Sequence, residues 1–423
     1  MPLIYSIIAP LIIISSVAVY QGEAFTAIET ARLLQNCMLI AGIGTLLQLC
    51  PIWKIGSGLP VVMGISFTFL AACLATASQD YGIMVGAIIV GGCFEGVLGL
   101  TAKYWRKIIS PIVSACVVVS IGLSILNVGV SSFGSSSAYP LGSWQNLLVA
   151  TITLAAALIF HTTLKGVAKQ LYVLLGMVVG YAVSICFGMG DTIRELGVIA
   201  VPQLFAFKPQ FQPGAILSFC LVFIVSAVET IGDTTACCKG GLGRDIMADE
   251  ISGSLCVDGF AAALSGGVFG CSPITSFSQN VGLISMTHVV NRFTIMFGAL
   301  AMILGGLFPP TGAFFTTLPD CVLGGCTVIM FGSIMMSGVR MMHDAGMDQR
   351  NTLIAATSIC LGVGVTQADG FFNELPSFIG DIFRGQYGRG RVRRGPDPRS
   401  VSAARPQPLY QHVTQIFGIQ KGS

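Results

Sequence analysis

Three acidic residues lie inside apolar stretches of this chain and could take part in proton chemistry. Glu229 and Asp233 are four residues apart in SAVETIGDTTA, and Asp258 lies in LCVDGFAAA. A charged side chain at the centre of a bilayer costs about 2.5–3.5 kcal/mol, so acids in such positions indicate function. Residues four apart share a helix face, and two carboxylates at low dielectric repel, which favours protonation of at least one. The alternative is a structural pair bonded by neighbours such as Thr234 and Thr235.

A second polar group lies in a broken apolar stretch, GGVFGCSPITSFSQNVGLISMT, at residues 266–287. Glycine and proline interrupt it, and Ser278, Gln279 and Asn280 follow a short piece that could be extended. Broken backbone inside a membrane is tolerated where it packs in protein or lines a cavity, and half-helices that meet there form the substrate sites of transporters. The alternative is a packing kink whose carboxamides join neighbouring helices.

These residue types suit a polar, planar substrate. A carboxamide such as that of Gln279 can match adjacent N–H and C=O groups on one edge of a heterocycle, and a carboxyl group can match another edge. Phe67, in an earlier broken segment, offers a ring face for stacking. The pattern favours an acidic cavity over an anion-selective one. Glu95 is a further acid in an apolar segment, and we expect it to pack near a helix turn.

The composition identifies a polytopic membrane protein. Apolar residues make up 53% of the chain, charged residues make up 10%, and the mean hydropathy is +0.81, whereas soluble domains carry about 25% charged residues. Nucleic-acid binding has no support. The cysteines are scattered singly apart from Cys237 and Cys238, so we expect neither a metal site nor a cofactor. The first apolar segment, residues 1–20, is predicted to be a span, since it lacks a basic region and a cleavage site.

Thirteen apolar segments follow one another along the chain. They are residues 1–20, 33–50, 59–77, 82–101, 109–128, 146–162, 171–189, 214–237, 252–269, 271–287, 293–308, 322–341 and 352–366. Lysine and arginine are concentrated in alternate loops, eleven in one set and three in the other. Because basic loops remain in the cytoplasm, this bias supports both the number of segments and their orientation.

An inverted internal repeat is visible in the two broken segments. Residues 56–60, GSGLP, lead into 61–67, and residues 270–273, GCSP, lead into 274–277, with Ser-Phe at the end of each. The basic loops predict that the first segment begins at the cytoplasmic side and the second at the outer side. Paired broken segments of opposite orientation indicate a transporter site.

The motifs together resemble those of the nucleobase–ascorbate transporter family, also called the nucleobase:cation symporter-2 family. The likeness covers about residues 3–383 and is carried by GSGLPVVMGISFTF, SAVETIGDTTA, SPITSFSQNVGLISMT and FFTTLPDCVLGGCTVIMFG. Glutamine before asparagine at Gln279 is similar to the xanthine and uric acid branch, whereas uracil carriers more often have glutamate there.

The resemblance implies an all-α polytopic fold, an inverted repeat of seven plus seven spans in which spans 3 and 10 each combine a short strand with a half-helix. It implies a core domain of spans 1–4 and 8–11 and a gate domain of spans 5–7 and 12–14. The predicted parts are core 1–106, gate 107–190, core 191–308, gate 309–383 and a basic Pro/Gly-rich tail at 384–423, which we expect to be disordered. About thirteen spans are expected here, because the tail replaces the last one.

The resemblance also implies roles for particular residues. Glu229 would bind one polar edge of a purine and Gln279 the opposite edge, while Asn280 would orient the site. Ser66, Phe67 and Ser278 would line it, and Glu229, Asp233 and Asp258 would carry proton coupling. Such carriers are commonly homodimers through the gate domain.

The resulting hypothesis is a proton-coupled purine importer, of the xanthine or urate type, in the bacterial inner membrane. Its partners would be the purine, the proton and membrane lipid. The first alternatives are a carrier of uracil or another nucleobase and an anion transporter of the sulfate-permease type, which Glu229 argues against. A membrane enzyme using Glu229, Asp233 and Asp258 is another, although it would lack a nucleophile–base pair. The last is an inactive truncated product, because the family's first-span histidine and fourteenth span are missing.

Overall fold

The structure is a computed structural model that describes residues 10–11, 13, 19–20, 22–105, 110–165, 169, 171–189, 202–278, 280–281, 284 and 289–367. Most of the predicted first span and the whole of the basic tail lie outside these residues. The described part is predominantly helical, with four short strands, so the expected fold class is confirmed.

The strands and helices alternate irregularly along the chain. The strands are β1 (Val19–Tyr20), β2 (Glu23–Ala24), β3 (Met63–Ile65) and β4 (Ile274–Ser276). The helices are α1 (Ala27–Leu49), α2 (Leu70–Ala77), α3 (Tyr81–Leu100), α4 (Ala102–Trp105), α5 (Pro111–Phe133), α6 (Trp144–Thr163), α7 (Tyr172–Cys186), α8 (Pro213–Cys237), α9 (Ala248–Gly267), α10 (Arg292–Leu307), α11 (Pro309–Thr316), α12 (Asp320–Ala345) and α13 (Gln349–Gln367). Within the described residues, six helices are long and apolar enough to cross a membrane: α1, α3, α5, α6, α8 and α12.

Helix starts follow from local sequence. Thr26 caps α1, since its hydroxyl accepts from the Glu29 backbone N–H at 3.3 Å while the Glu29 carboxylate accepts from the Thr26 N–H at 2.8 Å. Proline occupies the first position of α5 and of α8, where a missing N–H costs nothing. The predicted segment 33–50 began too late because the first turns of α1 carry Glu29 and Arg32.

The structure contains elements that the apolar segments did not predict. The hairpin β1–β2, α4 and α11 are each eight residues or shorter, and stretches of that length are too short for a hydropathy pattern to identify as spans. Pro309 starts α11, which packs on α1.

Helices α3 and α9 pack with their backbones in contact. A Cβ added to Gly92 would lie 2.6 Å from the backbone nitrogen of Ala263, and one added to Gly259 would lie 2.6 Å from the carbonyl oxygen of Gly92. Small residues allow such an approach, which is how helices associate strongly in lipid. Helix α8 packs against both, so the three helices form one unit.

A second set of helices packs around α12, which lies along α5 and also contacts α6 and α7. α13 packs on α5. The two sets meet where α5 contacts α2 and α8. Phe331 and Ile334 of α12 reach the broken segments from this second set.

Strands β3 and β4 form an antiparallel pair that joins the two broken segments. Met63 pairs with Ser276 and Ile65 with Ile274. The ladder continues at both ends, where the Ser66 N–H donates to the Pro273 carbonyl and the Phe277 N–H donates to the Val62 carbonyl, each at 3.0 Å. The pair satisfies backbone groups that a membrane would leave without partners.

A helical turn follows each strand, so the expected strand-plus-half-helix construction is confirmed. Phe67–Phe69 forms a 3₁₀ turn that continues into α2. On the other side, Ser278 starts helical backbone, and the Asn280 N–H donates to the Phe277 carbonyl at 3.0 Å.

Candidate functional site

Glu229 lies on α8 opposite the ends of both strands. The Thr68 hydroxyl donates to one oxygen of its carboxyl group at 2.7 Å, and the Ser278 hydroxyl lies 3.2 Å from the other. Thr68 follows the first broken segment and Ser278 follows the second. The carboxyl group of Glu229 therefore contacts both halves of the repeat at their point of closest approach.

Asp233 lies one helical turn from Glu229 and shares a partner with it. The Ser278 hydroxyl is 2.8 Å from an Asp233 carboxyl oxygen as well as 3.2 Å from Glu229. A hydroxyl has a single hydrogen to donate but can also accept. If one of the two carboxyl groups holds a proton, it can donate to the hydroxyl, and the hydroxyl can donate to the other. This arrangement suits a pair of acids that carries one proton.

Asp258 lies on α9 behind β4. One of its carboxyl oxygens accepts from the Thr230 hydroxyl and lies 3.4 Å from both the backbone nitrogen and the hydroxyl of Ser276. The Thr230 and Ser276 hydroxyls are 3.1 Å apart. Asp258 does not line the cavity beside Glu229; it is connected to that cavity through Ser276.

The remaining predicted residues fall into three groups. The Ser66 hydroxyl accepts from the Thr68 N–H at 3.3 Å and so caps the turn. The Phe67 ring packs edge-on against Phe331, with 5.4 Å between centroids. The Asn280 carboxamide donates to the Pro60 carbonyl at 3.2 Å and joins the two broken segments instead of lining the cavity.

Gln279 lies outside the described residues. Its predicted contact with the second edge of a substrate stays a prediction.

The cavity beside Glu229 has a volume of about 20 Å³. It is lined by Ser66, Phe67, Thr68, Glu229, Ser276, Phe277, Ser278 and Ile334. A water molecule needs about 10–15 Å³ by this measure, so the cavity is far too small for a two-ring base. Ile334 of α12 forms the wall that faces the strands. In this structure, protein side chains therefore fill most of the space beside Glu229.

Sequence reasoning did not single out Thr68, Ser276 or Ile334. A hydroxyl directly after Phe67, in the stretch GISFTF, was a usable signal for Thr68, because polar groups at a helix start inside a membrane need a partner. Ile334 carried no signal, since it is one of many apolar residues in α12. Within the described residues, no group of three His, Cys, Asp or Glu side chains could hold a metal ion.

Comparison with known proteins identifies the family. A family model described as a permease family matches residues 4–370. The chain belongs to this permease family. The family's members are transporters, so the membrane-enzyme alternative is wrong. Together with its apolar helices, the family makes the protein a multi-pass protein of the bacterial inner membrane.

Curated relatives agree with the branch that the sequence motifs indicated. The chain is similar to xanthine permease XanQ of Escherichia coli, 32% identical over 374 residues that span 84% of this chain and 80% of XanQ. It is also similar to uric acid permease PucJ of Bacillus subtilis, 35% identical over 369 residues that span 84% of this chain and 81% of PucJ. The resemblance to nucleobase transporters is thereby confirmed.

Solved structures share the fold. The transmembrane domain of the cyanobacterial bicarbonate transporter BicA matches with a TM-score of 0.58 at 15% identity, over 90% of this chain and 96% of that one. The anion transporter family member SLC26A9 matches with a TM-score of 0.54 at 9% identity, over 86% of this chain and 62% of that one. At these identities the likeness concerns architecture alone.

Proposed function

We propose that this permease imports a purine of the xanthine or urate type together with a proton, by alternating access. Relatives at 32–35% identity are named xanthine and uric acid permeases. The observation that carries the proposal is the placement of Glu229 and Asp233 on one hydroxyl, that of Ser278, where the two broken segments meet.

Purine recognition follows from the groups that face the cavity. Glu229 presents a carboxyl group that can pair with N–H groups on one edge of the base. Gln279 is proposed to pair with the opposite edge, and the Phe67 ring to pack against the face of the base. Ser66 and Ser278 line the cavity, while Asn280 holds the second half-helix to the first through Pro60.

Proton coupling is assigned to Glu229, Asp233 and Asp258. We propose that a purine that binds Glu229 displaces the Ser278 hydroxyl from its carboxyl group, while the Thr68 hydroxyl stays bound to the other oxygen. When Ser278 is displaced, Asp233 loses its hydrogen-bond partner too, so the preferred number of protons on the pair changes. Substrate binding and proton binding are then linked through a shared hydroxyl.

Alternating access is proposed because protein side chains fill most of the space beside Glu229. The space beside Glu229 would become large enough for a base if Phe331 and Ile334 withdrew from the strands. The helices around α12 would move as a gate against the helices that carry β3, β4 and Glu229. The core and gate bounds predicted above, and a homodimer through the gate, remain proposals.

Anion transport is the second candidate, because BicA and SLC26A9 share the fold. The cavity wall argues against it. Among the described residues, the wall contains a glutamate and no lysine or arginine. A small anion would face the Glu229 carboxyl group without a compensating cation. A glutamate in the cavity wall is equally compatible with a carrier for uracil or another nucleobase, which remains an alternative.

Uptake in proteoliposomes tests the proposal. We expect labelled xanthine or urate to accumulate under a proton gradient, with guanine, hypoxanthine and uracil transported less, and an uncoupler to abolish accumulation. Bicarbonate or sulfate uptake without purine uptake would favour the anion transporter, and uracil as the best substrate would assign the other nucleobase branch.

The Glu229→Gln variant separates binding from coupling. It keeps the shape and one hydrogen bond but cannot exchange a proton, so purine binding should survive in part while gradient-driven accumulation collapses. Glu23→Gln, the same chemical change on an exposed side chain of β2, is the control. Uphill transport by Glu229→Gln at the parent rate would exclude Glu229 from coupling.

A further inference from the structure

Glu95, on α3, is a buried acid that forms no ion pair with a described residue. Its side chain is 0% exposed, and neither carboxyl oxygen has a hydrogen-bond partner among the described residues. Buried polar groups are normally satisfied, and a buried carboxylate that remains charged and unpaired is strongly unfavourable. Glu95 therefore requires either a proton or another bound species.

Other buried polar atoms near Glu95 also lack a hydrogen-bond partner within the described part of the chain. Ser226 on α8 and Asp258 on α9 are buried, and the Ser226 hydroxyl and one Asp258 oxygen also have no partner among the described residues. Only two other side-chain atoms in the described residues share this condition, on Asn36 and Gln48. Four of the six such atoms thus belong to Glu95, Ser226 and Asp258.

Packing brings these three residues to one junction. Gly259 adjoins Asp258, and a Cβ on it would lie 2.7 Å from the backbone carbonyl carbon of Glu95. One turn before Glu95, Gly91 lies against the Phe223 ring on α8, one turn before Ser226. The Ser226 hydroxyl neighbours the Glu95 carboxyl group, and the Glu95 and Asp258 carboxyl groups interact electrostatically. The junction of α3, α8 and α9 therefore holds two acids and a hydroxyl.

The occupant that fits is a proton. The titratable groups that interact electrostatically with Glu95 are Asp258 from α9 and Glu229 from α8, and both are acidic. The ion pairs found in the described residues, Lys239–Asp245 and Arg244–Glu250, do not include Glu95. A metal ion would need further protein ligands, and the described residues contain no suitable group of three. A proton on Glu95 or Asp258 turns an acceptor into a donor and removes the repulsion between the two carboxylates.

We propose that Glu95 and Asp258 share a proton and form a second proton-binding pair behind the substrate cavity, an inference that rests on the proposed function. Transfer breaks the O–H bond on Glu95 and forms one on the free oxygen of Asp258, without electron transfer. The other Asp258 oxygen is bonded to Thr230 and approached by Ser276, which lines the cavity. When Asp258 is charged it holds both hydroxyls, and when it is protonated the Ser276 hydroxyl is free to turn toward substrate.

Infrared difference spectroscopy on the purified carrier tests the proposal directly. We expect a protonated-carboxyl band that weakens as the pH is raised and changes on xanthine binding. Glu95→Gln should remove that band. A band that persists unchanged as the pH is raised and on xanthine binding would overturn proton exchange at Glu95.

Transport gives a second readout. In Glu95→Gln, the ratio of gradient-driven accumulation to counterflow should fall about tenfold, a coupling loss of about 1.4 kcal/mol. A purely structural Glu95 would be replaced by glutamine with no change in that ratio. Glu23→Gln is again the matched control.

A further variant covers the case in which Glu95→Gln does not fold. Ser226→Ala removes the hydroxyl beside Glu95 and keeps both acids, so it should shift the band and its pH midpoint without removing it. An unchanged band in Ser226→Ala would contradict the proposal.

Binding of labelled xanthine shows whether the proposed function fails or only the inference about Glu95. If no purine binds the parent protein, the proposed function fails. If purine binds and the Glu95→Gln ratio is unchanged, only the present inference fails. If sodium, and not acidification, stimulates binding in the parent and Glu95→Gln loses that response, the site takes a cation and the proton assignment is wrong.

Discussion

At the scale of single residues, two hydroxyls determine how the acids of the site are held. Thr68 binds Glu229 from the first broken segment, and Ser278 binds Glu229 and Asp233 from the second. Each hydroxyl therefore links one half of the repeat to the same helix, α8. Removing either hydroxyl should change how the carboxyl groups are held without affecting the contact that we propose between the substrate and Gln279.

Thr68→Val should weaken purine binding by about fivefold to tenfold, because the change keeps the shape and deletes a hydrogen bond to a charged or polar group worth about 1–1.5 kcal/mol. Thr68→Ser keeps the hydroxyl and is the matched control. Equilibrium binding of labelled xanthine to detergent-purified protein measures both. Equal affinity in Thr68→Val and the parent would show that the 2.7 Å contact has no energetic role.

Sequence reasoning found the acids because charge is rare in apolar segments and therefore conspicuous. It found Glu229, Asp233, Ser278 and Asn280 as one region, and the structure brings them close together. It could not assign Asp258 to the far side of β4, since that depends on which neighbour α9 faces. The functional roles of these residues, and the position of Gln279, stay predictions.

At the scale of elements, the close contact of α3 and α9 places Glu95 beside Asp258. Glycines at Gly92 and Gly259 remove the side chains that would otherwise separate the helices. Each is a helical position, where glycine costs about 1 kcal/mol relative to alanine. The close packing of α3 and α9 that these glycines allow must therefore offset this cost.

Gly259→Ala should destabilise the protein by more than 2 kcal/mol, at about the level of an overpacked core, because the added methyl group meets backbone atoms of α3. Gly298→Ala, on α10, is the control, since a Cβ there meets no atom within 4 Å. It should be neutral or slightly stabilising. Thermal unfolding of the two purified variants makes the comparison. A melting temperature of Gly259→Ala equal to that of Gly298→Ala would mean that the helices can separate freely.

The long helices were predictable and their partners were not. Predicted segment 146–162 corresponds to α6, Trp144–Thr163, and 214–237 to α8, Pro213–Cys237, because an uninterrupted apolar run marks each helix and a proline starts α8. No comparable feature of the sequence predicts that α12 packs against α5. Lipid-facing and protein-facing surfaces are equally apolar, so periodicity does not reveal which helices touch.

At the scale of the whole molecule, a larger cavity separates the helices that carry the site from those around α12. Its volume is about 250 Å³. It is lined by Thr68, Ala71, Ala72, Val113, Cys116, Val117, Ser120, Ile121, Ser124, Ile125, Val222, Val225, Ser358 and Gly362. Thr68 lines both this cavity and the small one beside Glu229. The larger space therefore adjoins the proposed substrate site, and we propose that it is the route by which a base leaves that site.

Ser120→Phe should reduce purine uptake about tenfold or more while leaving the protein folded, because the ring fits in the cavity but occupies the space that the base and the moving helices need. Ser131→Phe, on the same helix at an exposed position, is the control. Uptake and melting temperature are measured for both. Normal uptake by Ser120→Phe would assign the cavity to packing alone.

The inverted repeat was visible in sequence because it depends on local features, glycine and proline before a polar half-helix. That the two strands pair with each other depends on the topology of the whole chain, and the sequence did not predict it. The two cavities could not be predicted, since the small one depends on how close α12 lies to the strands and the larger one on how α2, α5, α8 and α13 pack.

The β3–β4 pair has a consequence for biosynthesis. Its two strands come from opposite halves of the chain, and the nearby contact between Pro60 and Asn280 spans 220 residues. While the ribosome is still making the second half, the backbone of β3 is already in or near the bilayer without its partner, where unpaired groups are unfavourable. The backbone of β3 must therefore be kept away from lipid until β4 has been made, for example by the insertion machinery. Expressed alone, it should be degraded, and co-expression with the second half should rescue it.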